Sequence, residues 1–223
     1  VVSTNTDLLK NLLARIGNHK DKVSLSDYAG SFFQHKNIEI VFVDPLKQLF
    51  TVSYGKFLCN RYISKLVSPE KWHEPTEFKW AILSADSIEA AYAHLQDALV
   101  IACDIETRKQ PLSISHISYT GIYLGQDGRI TTASYVLKID DMWAVQWMRK
   151  LNELQVPKIF QNGKYDNSYL LRYNAPCTSW FWDTANLFHC WYSELPKDLA
   201  FLNAFFLRKV VYWKDLAETN DPY

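Results

Sequence analysis

The sequence predicts an α/β domain with a mixed sheet, preceded by a smaller α+β module. Three observations point there. Residues 99–106, 113–124 and 129–138 read as strands, the last two joined around the turn Gly125-Gln126-Asp127-Gly128. Downstream of them, helical and strand patterns alternate, which adds strands to the sheet and lays helices on its faces. Hydrophobic residues make up 48% of the 223 and aromatics 15%. That is enough for a sizeable core, and 7 Gly and 8 Pro are too few for a fibrous or disordered chain.

Taken in order, Leu8, Leu9, Leu12, Leu13 and Ile16 recur at helical spacing, and Gly17-Asn18 ends that helix. A second helix is expected over 27–34, capped by Ser24 or Ser26. Residues 38–43 and 49–54 read as a strand pair joined through Asp44-Pro45, and 55–67 as a helix. The polar stretch 68–75 holds two prolines and reads as a linker, so the chain divides into a module of unknown function over 1–78 and a domain over 79–223. A short strand over 80–83 leads to Asp86-Ser87-Ile88-Glu89, which fits a capping box opening a helix over 87–98. After the three strands come a helix over 142–154, a strand over 158–161, a helix over 164–173, a strand near Trp182, and helices over 184–192 and 199–206.

The chemistry-bearing residues lie at two junctions. Asp104-Ile105-Glu106 closes the apolar run 99–103, and strand alternation points both carboxylates to one face. Two such charges repel unless a cation lies between them, and a hard divalent ion such as magnesium or manganese prefers oxygen donors. The plainer reading is the solvated end of a strand. Asp166 falls in the first turn of the helix after Phe160-Gln161-Asn162-Gly163, where it also suits the helix dipole, with Asn162 as a cap. An Asp at the same sheet end as Asp104 would supply a third oxygen ligand for a pair of metal ions.

These residues carry a resemblance. Asp104-Ile105-Glu106-Thr107 resembles the first motif, D-x-E-T, of the DnaQ-like (DEDD) 3′→5′ exonuclease superfamily, and Asn162-Gly163-Lys164-Tyr165-Asp166 resembles its second, N-x-x-[FY]-D. Trp182-Asp183-Thr184 and Leu195-Pro196-Lys197-Asp198-Leu199 resemble segments that follow, most like the proofreading domain of family A, Pol I-like DNA polymerases. The resemblance covers about 79–223 and implies an RNase H-like fold with a mixed five-stranded sheet flanked by helices. It implies two Mg2+ or Mn2+ ions, with Asp104 bridging both, Glu106 on one and Asp166 on the other. Thr107 and Asn162 would contact the terminal nucleotide. The third motif, Y-x-x-x-D, has no complete copy; Tyr212-Trp213-Lys214-Asp215 is one residue short. Tyr223 stands where the motif tyrosine is expected, so it would orient the attacking water and the last aspartate would follow it in a longer polypeptide.

The implied function is removal of nucleotides from the single-stranded 3′ end of DNA, as the proofreading part of a chain that runs on into a polymerase domain. An RNase D-like RNA exonuclease is the nearest alternative. A catalytically silent nucleic-acid-binding or structural domain is the other, favoured by the missing motif. Lys plus Arg and Asp plus Glu number 24 each, which argues against a stand-alone duplex binder held by counterion release. The 4 cysteines make neither a disulfide framework nor a zinc pattern, and neither a secretory signal nor a membrane span is evident. Residence in the cytoplasm of a bacterial or phage-infected cell is the consistent expectation. Trp180, Phe181, Trp182, Trp191 and Tyr192 could stack bases, but core packing is the favoured reading. Asp183 reads as a helix cap, and neither His116 nor His189 as a metal ligand.

Overall fold

The computed structural model describes residues 1–16, 22–45, 47–74, 79–110 and 112–210. The chain forms two compact units. One comprises Val1–Pro75 with Glu194–Tyr223, the other Thr76–Ser193.

The first unit begins with β1 (Val2–Ser3), α1 (Thr6–Arg15), β2 (Phe32–His35) and β3 (Ile38–Phe42). Asn5 caps α1, its side chain accepting from the N–H groups of Asp7 and Leu8 at 2.9 Å. The helix buries Leu9, Leu12 and Leu13, as their spacing requires, and the stop assigned to Gly17-Asn18 lies outside the described residues. The sheet order is β1-β3-β2, β1 parallel and β2 antiparallel to β3. Two expectations are corrected here. The helix expected over 27–34 is a turn followed by β2. Gly30 takes φ +81, which interrupts helical geometry, and Phe33 pairs with Ile40 in a hairpin turned at Lys36. The expected strand over 49–54 is instead α2 (Gln48–Thr51), whose short apolar run fitted either period. It leads into α3 (Gly55–Val67).

The second unit runs through β4 (Lys79–Ile82), α4 (Ile88–Gln96), β5 (Val100–Arg108), β6 (Ser113–Leu124), β7 (Ile130–Lys138), α5 (Met142–Asn152), β8 (Lys158–Phe160), α6 (Lys164–Arg172), β9 (Trp180–Asp183) and α7 (Thr184–Trp191). It is a mixed α/β unit. The sheet has six strands in the order β4-β7-β6-β5-β8-β9, one more than the five expected, because both β4 and β9 join as parallel edges. The central hairpins β5–β6 and β6–β7 are antiparallel, and β5–β8 is parallel. Its core joins Ile101, Cys103 and Ile105 of β5 to Ile117 and Tyr119 of β6, Met148 and Leu151 of α5, and Leu170 of α6. The capping box expected at α4 does not form: the Ser87 hydroxyl accepts from the Ser84 N–H at 2.9 Å instead.

The last described helix, α8 (Leu199–Phe206), is capped by Asp198 and belongs to the first unit. This departs from the boundary expected at 79–223. Arg61 Nε donates to the Phe205 carbonyl at 2.9 Å, and the largely buried Arg208 pairs with Glu39 at 3.0 Å and Glu74 at 3.1 Å. Among the described residues, no helix is long and apolar enough to cross a membrane.

Candidate active site

Alternation along β5 does what the sequence requires. Ile101, Cys103 and Ile105 are buried, and Asp104 and Glu106 stand exposed on the opposite face. The parallel ladder with β8 pairs Ile101 with Lys158 and Ala102 with Ile159, and ends there. The next backbone donor on that side, the N–H of Ile105, is met by a side chain: Asp166 Oδ1 accepts from it at 3.1 Å. Asp166 is therefore docked on the strand between Asp104 and Glu106, and it is only 3% exposed. Immediately beyond, between Glu106 and Thr107, the β5–β6 register shifts at an irregularity.

The turn that delivers Asp166 is held from a distance. Asn162 takes φ 56, a left-handed conformation that Asn tolerates better than most residues. Asp183, at the end of β9, accepts from Gly163 N–H at 2.8 Å and Asn162 N–H at 3.3 Å while capping α7 through Ala185 and Asn186 N–H. Its expected role as a cap is thus half of what it does. Gly163 cannot be larger: a Cβ there would lie 2.5 Å from Phe160 Cβ and 2.8 Å from Trp180 Cζ2. Asn162 does not cap α6 with its side chain, contrary to the plainer reading of that residue; the residue itself stays exposed at the site.

Charge accumulates here. Although part of the Asp104 side chain meets solvent, the packing around its carboxyl desolvates it and pushes it up to about 6, reinforced by the charges of Asp166 and Glu106 and opposed by the Ile105 N–H. Asp166 is likewise raised, first by burial and then by Asp183 and Glu106, against its backbone hydrogen bonds. No ion pair among the described residues engages any of the three. An all-oxygen donor set of mutually repelling carboxylates suits in kind a hard divalent cation. Among the described residues it does not close into a cluster of three or more ligands ready to hold a metal ion. Tyr223 and the 212–215 segment lie outside the described residues.

Thr107, Tyr165 and His116 complete the surroundings; the sequence reading held Tyr165 only as a motif residue and His116 only as a residue that is not a metal ligand. The Thr107 hydroxyl meets the Tyr165 hydroxyl at 3.2 Å, and Tyr165 reaches Tyr169 at 3.5 Å; these bonds to Thr107 and then Tyr169 lower the Tyr165 pKa. Tyr165 is 47% exposed and stands beside the carboxylates. His116 on β6 pairs with Glu106, which puts both on one face of the sheet. Its signal was its strand parity, readable only once the register was known. The aromatics divide: Trp180 packs on Phe160 with ring centroids 5.4 Å apart, whereas Trp182 is 40% exposed and Trp191 68%, against the core reading.

Neither a protein-family model nor a curated protein matches the chain. Similar solved structures include the catalytic core of RRP6 from Trypanosoma brucei, at 14% identity over 85% of this chain and 51% of that one, with a TM-score of 0.47. Escherichia coli RNase D, described as an exoribonuclease involved in structured RNA processing, gives 16% identity over 55% of this chain and 30% of that one, TM-score 0.35. The EXO domain of Aedes aegypti Nibbler gives 13% over 56% and 67%, TM-score 0.38. The chain spans about half of the RRP6 core and under a third of RNase D.

Proposed function

We propose that the carboxylate end of β5 is the active site of a divalent-metal-dependent 3′→5′ exonuclease acting on single-stranded nucleic acid. The observation that carries this reading is the docking of Asp166 on the Ile105 N–H, which brings a third carboxylate alongside Asp104 and Glu106. Asp104 and Glu106 would hold Mg2+ or Mn2+ with one carboxylate each, and Asp166 would offer the oxygen not engaged by Ile105. When bound, such ions supply an activated water and neutralise charge on the leaving 3′ oxygen. The protein's own contribution is positional. Asp183 fixes the turn so that Asp166 is pre-aimed, and the exposed Asn162 and the Thr107–Tyr165 pair stand where the terminal nucleotide would be oriented.

In its finer form, the reading makes DNA the substrate and the chain the proofreading part of a polypeptide that continues into a polymerase domain. RNA trimming is the alternative substrate assignment. A silent nucleic-acid-binding domain is favoured by one observation, the lack of a closed ligand cluster among the described residues. One experiment separates these readings. The protein is incubated with 5′-labelled single-stranded DNA or RNA and Mg2+ or Mn2+. Shortening from the 3′ end, abolished by EDTA and by Asp104→Ala, is expected, and the preferred strand identifies the substrate. Binding with an intact oligonucleotide in every metal would leave only the silent reading.

A further inference from the structure

Beside the turn at Asn162 and Gly163 lies an open hollow of about 310 Å3, lined by Trp180, Trp182, Asp183, Asn186, Leu187 and Cys190. It sits on the edge strand β9 and the first turns of α7. Trp180 is its anchored wall: the indole N–H donates to the Trp182 carbonyl at 3.0 Å, and the ring meets Phe160 edge to face. Trp182 and Leu187 present apolar surface to solvent, 40% and 42% exposed. Asp183 is the only charged residue among its described lining residues, and that carboxylate is engaged by four backbone N–H groups, so it does not repel an anion as a free carboxylate would. The Asn186 side chain adds an amide, able to donate and accept.

Hollow and carboxylate site share a support. Gly163 packs so closely on Trp180 that a Cβ would meet the indole, and Asp183 belongs to both the hollow and the turn. We propose that this hollow seats an unpaired base of the nucleic-acid strand whose 3′ end occupies the carboxylate site. The proposal rests on the reading of that site given above. Size, chemistry and charge choose the occupant. The volume lies at the small end of ligand pockets, which run from roughly 300 to 1,000 Å3, and so suits one flat ring system. Indole faces stack on any base, and the amide can meet a base edge. With 24 basic against 24 acidic residues, the chain lacks the positive excess that grips phosphates by counterion release. Stacking then has to supply hold on the strand.

The test is made in EDTA, where no hydrolysis occurs, with fluorescently labelled oligo(dT) and oligo(U) titrated by anisotropy. The two arms tell a deoxyribose from a ribose strand, and the hollow, which meets the base, should respond in whichever arm binds. Trp182→Ala is expected to weaken binding roughly tenfold, the lower range of a lost base–aromatic stack, and Trp182→Phe to restore most of it. Independently of any variant, the oligonucleotide should slow maleimide labelling of the exposed Cys190 in the wild-type protein. Unchanged affinity in Trp182→Ala with unprotected Cys190 overturns the proposal. Adding Mg2+ separates the two readings. Cleavage that ignores Trp182 keeps the exonuclease and removes the hollow, whereas Trp182-dependent binding without cleavage keeps the hollow and removes the exonuclease.

Discussion

The two flanks of β5 are built on different rules. Toward β6 the ladder runs from Val100↔Ile122 to Glu106↔His116 and, after one shift, on to Arg108↔Ser113. Toward β8 it stops after Ala102↔Ile159. On the continuous flank, backbone answers backbone. On the broken flank, side chains of later elements answer it, Asp166 for Ile105 and Asp183 for Asn162 and Gly163. A ladder that ends early leaves buried donors that must be satisfied. Here they are satisfied by acids, at the cost of gathering like charges. Stability and function are separable on one flank and joined on the other.

The sharpest way to break that contrast is Asp166. Asp166→Asn keeps an oxygen for the Ile105 N–H but loses the charge, so the fold should hold while nuclease activity falls on the order of a hundredfold to a thousandfold. Asp166→Ala should lose the same activity and also about 1–3 kcal/mol of stability, because a buried donor is left unmet. Equal melting temperatures for the two variants would show that the Ile105 bond matters little. Next in size is Asp183→Ala, which removes the acceptor from four N–H groups. A loss of about 2 kcal/mol or more is expected, a helix cap together with an unsatisfied turn. Activity should fall too, although Asp183 is placed here as a positioning residue. Its kcat should drop with the metal dependence unchanged, which a purely structural cap would not require.

The difference between the flanks also explains what the sequence could and could not show. Asp104 and Glu106 were legible because strand parity is local, and Asp166 because a helix start is local. The clamp by Asp183 was not, since a cap looks the same whether or not its second oxygen reaches a turn 20 residues away. His116 was weighed only as a metal ligand for the same reason: its place opposite Glu106 depends on register. In the first unit, Tyr28, Phe32 and Phe33 fit a helical period as well as a strand, and the hairpin with β3 decided between them. The return of α8 to the first unit depends on Arg61 and Arg208, whose partners lie between 134 and 169 residues away.

A smaller effect, opposite in sign, is expected at Asp104. Its carboxyl lies near 6 in the folded chain against 3.8 as a reference. Below 3.8 both states hold the proton and the group costs folding nothing. As pH rises from 3.8 through 6 the unfolded chain releases its proton first, so this site weakens the fold and its full penalty stands at pH 7. Metal-free Asp104→Asn should therefore melt above wild type at pH 7 and level with it near pH 4, although the proposed activity should be lost. Added Mg2+ should raise the wild-type melting temperature and leave the variant unmoved. A variant that melts lower at pH 7 would mean that the carboxylates are not in conflict.

The smallest effect belongs to the continuous flank. Thr120 and Ser134 join their hydroxyls at 2.8 Å across β6 and β7, a pair as well formed as any at the carboxylate site. Thr120→Val removes it but keeps shape and strand preference, and the backbone ladder between Thr120 and Ser134 remains. The loss should be about 1 kcal/mol or less, with kcat and the pH profile of stability unchanged. A drop in activity here would show that the two flanks are mechanically coupled through β6, and that the broken ladder is not the only part of the sheet on which the chemistry depends.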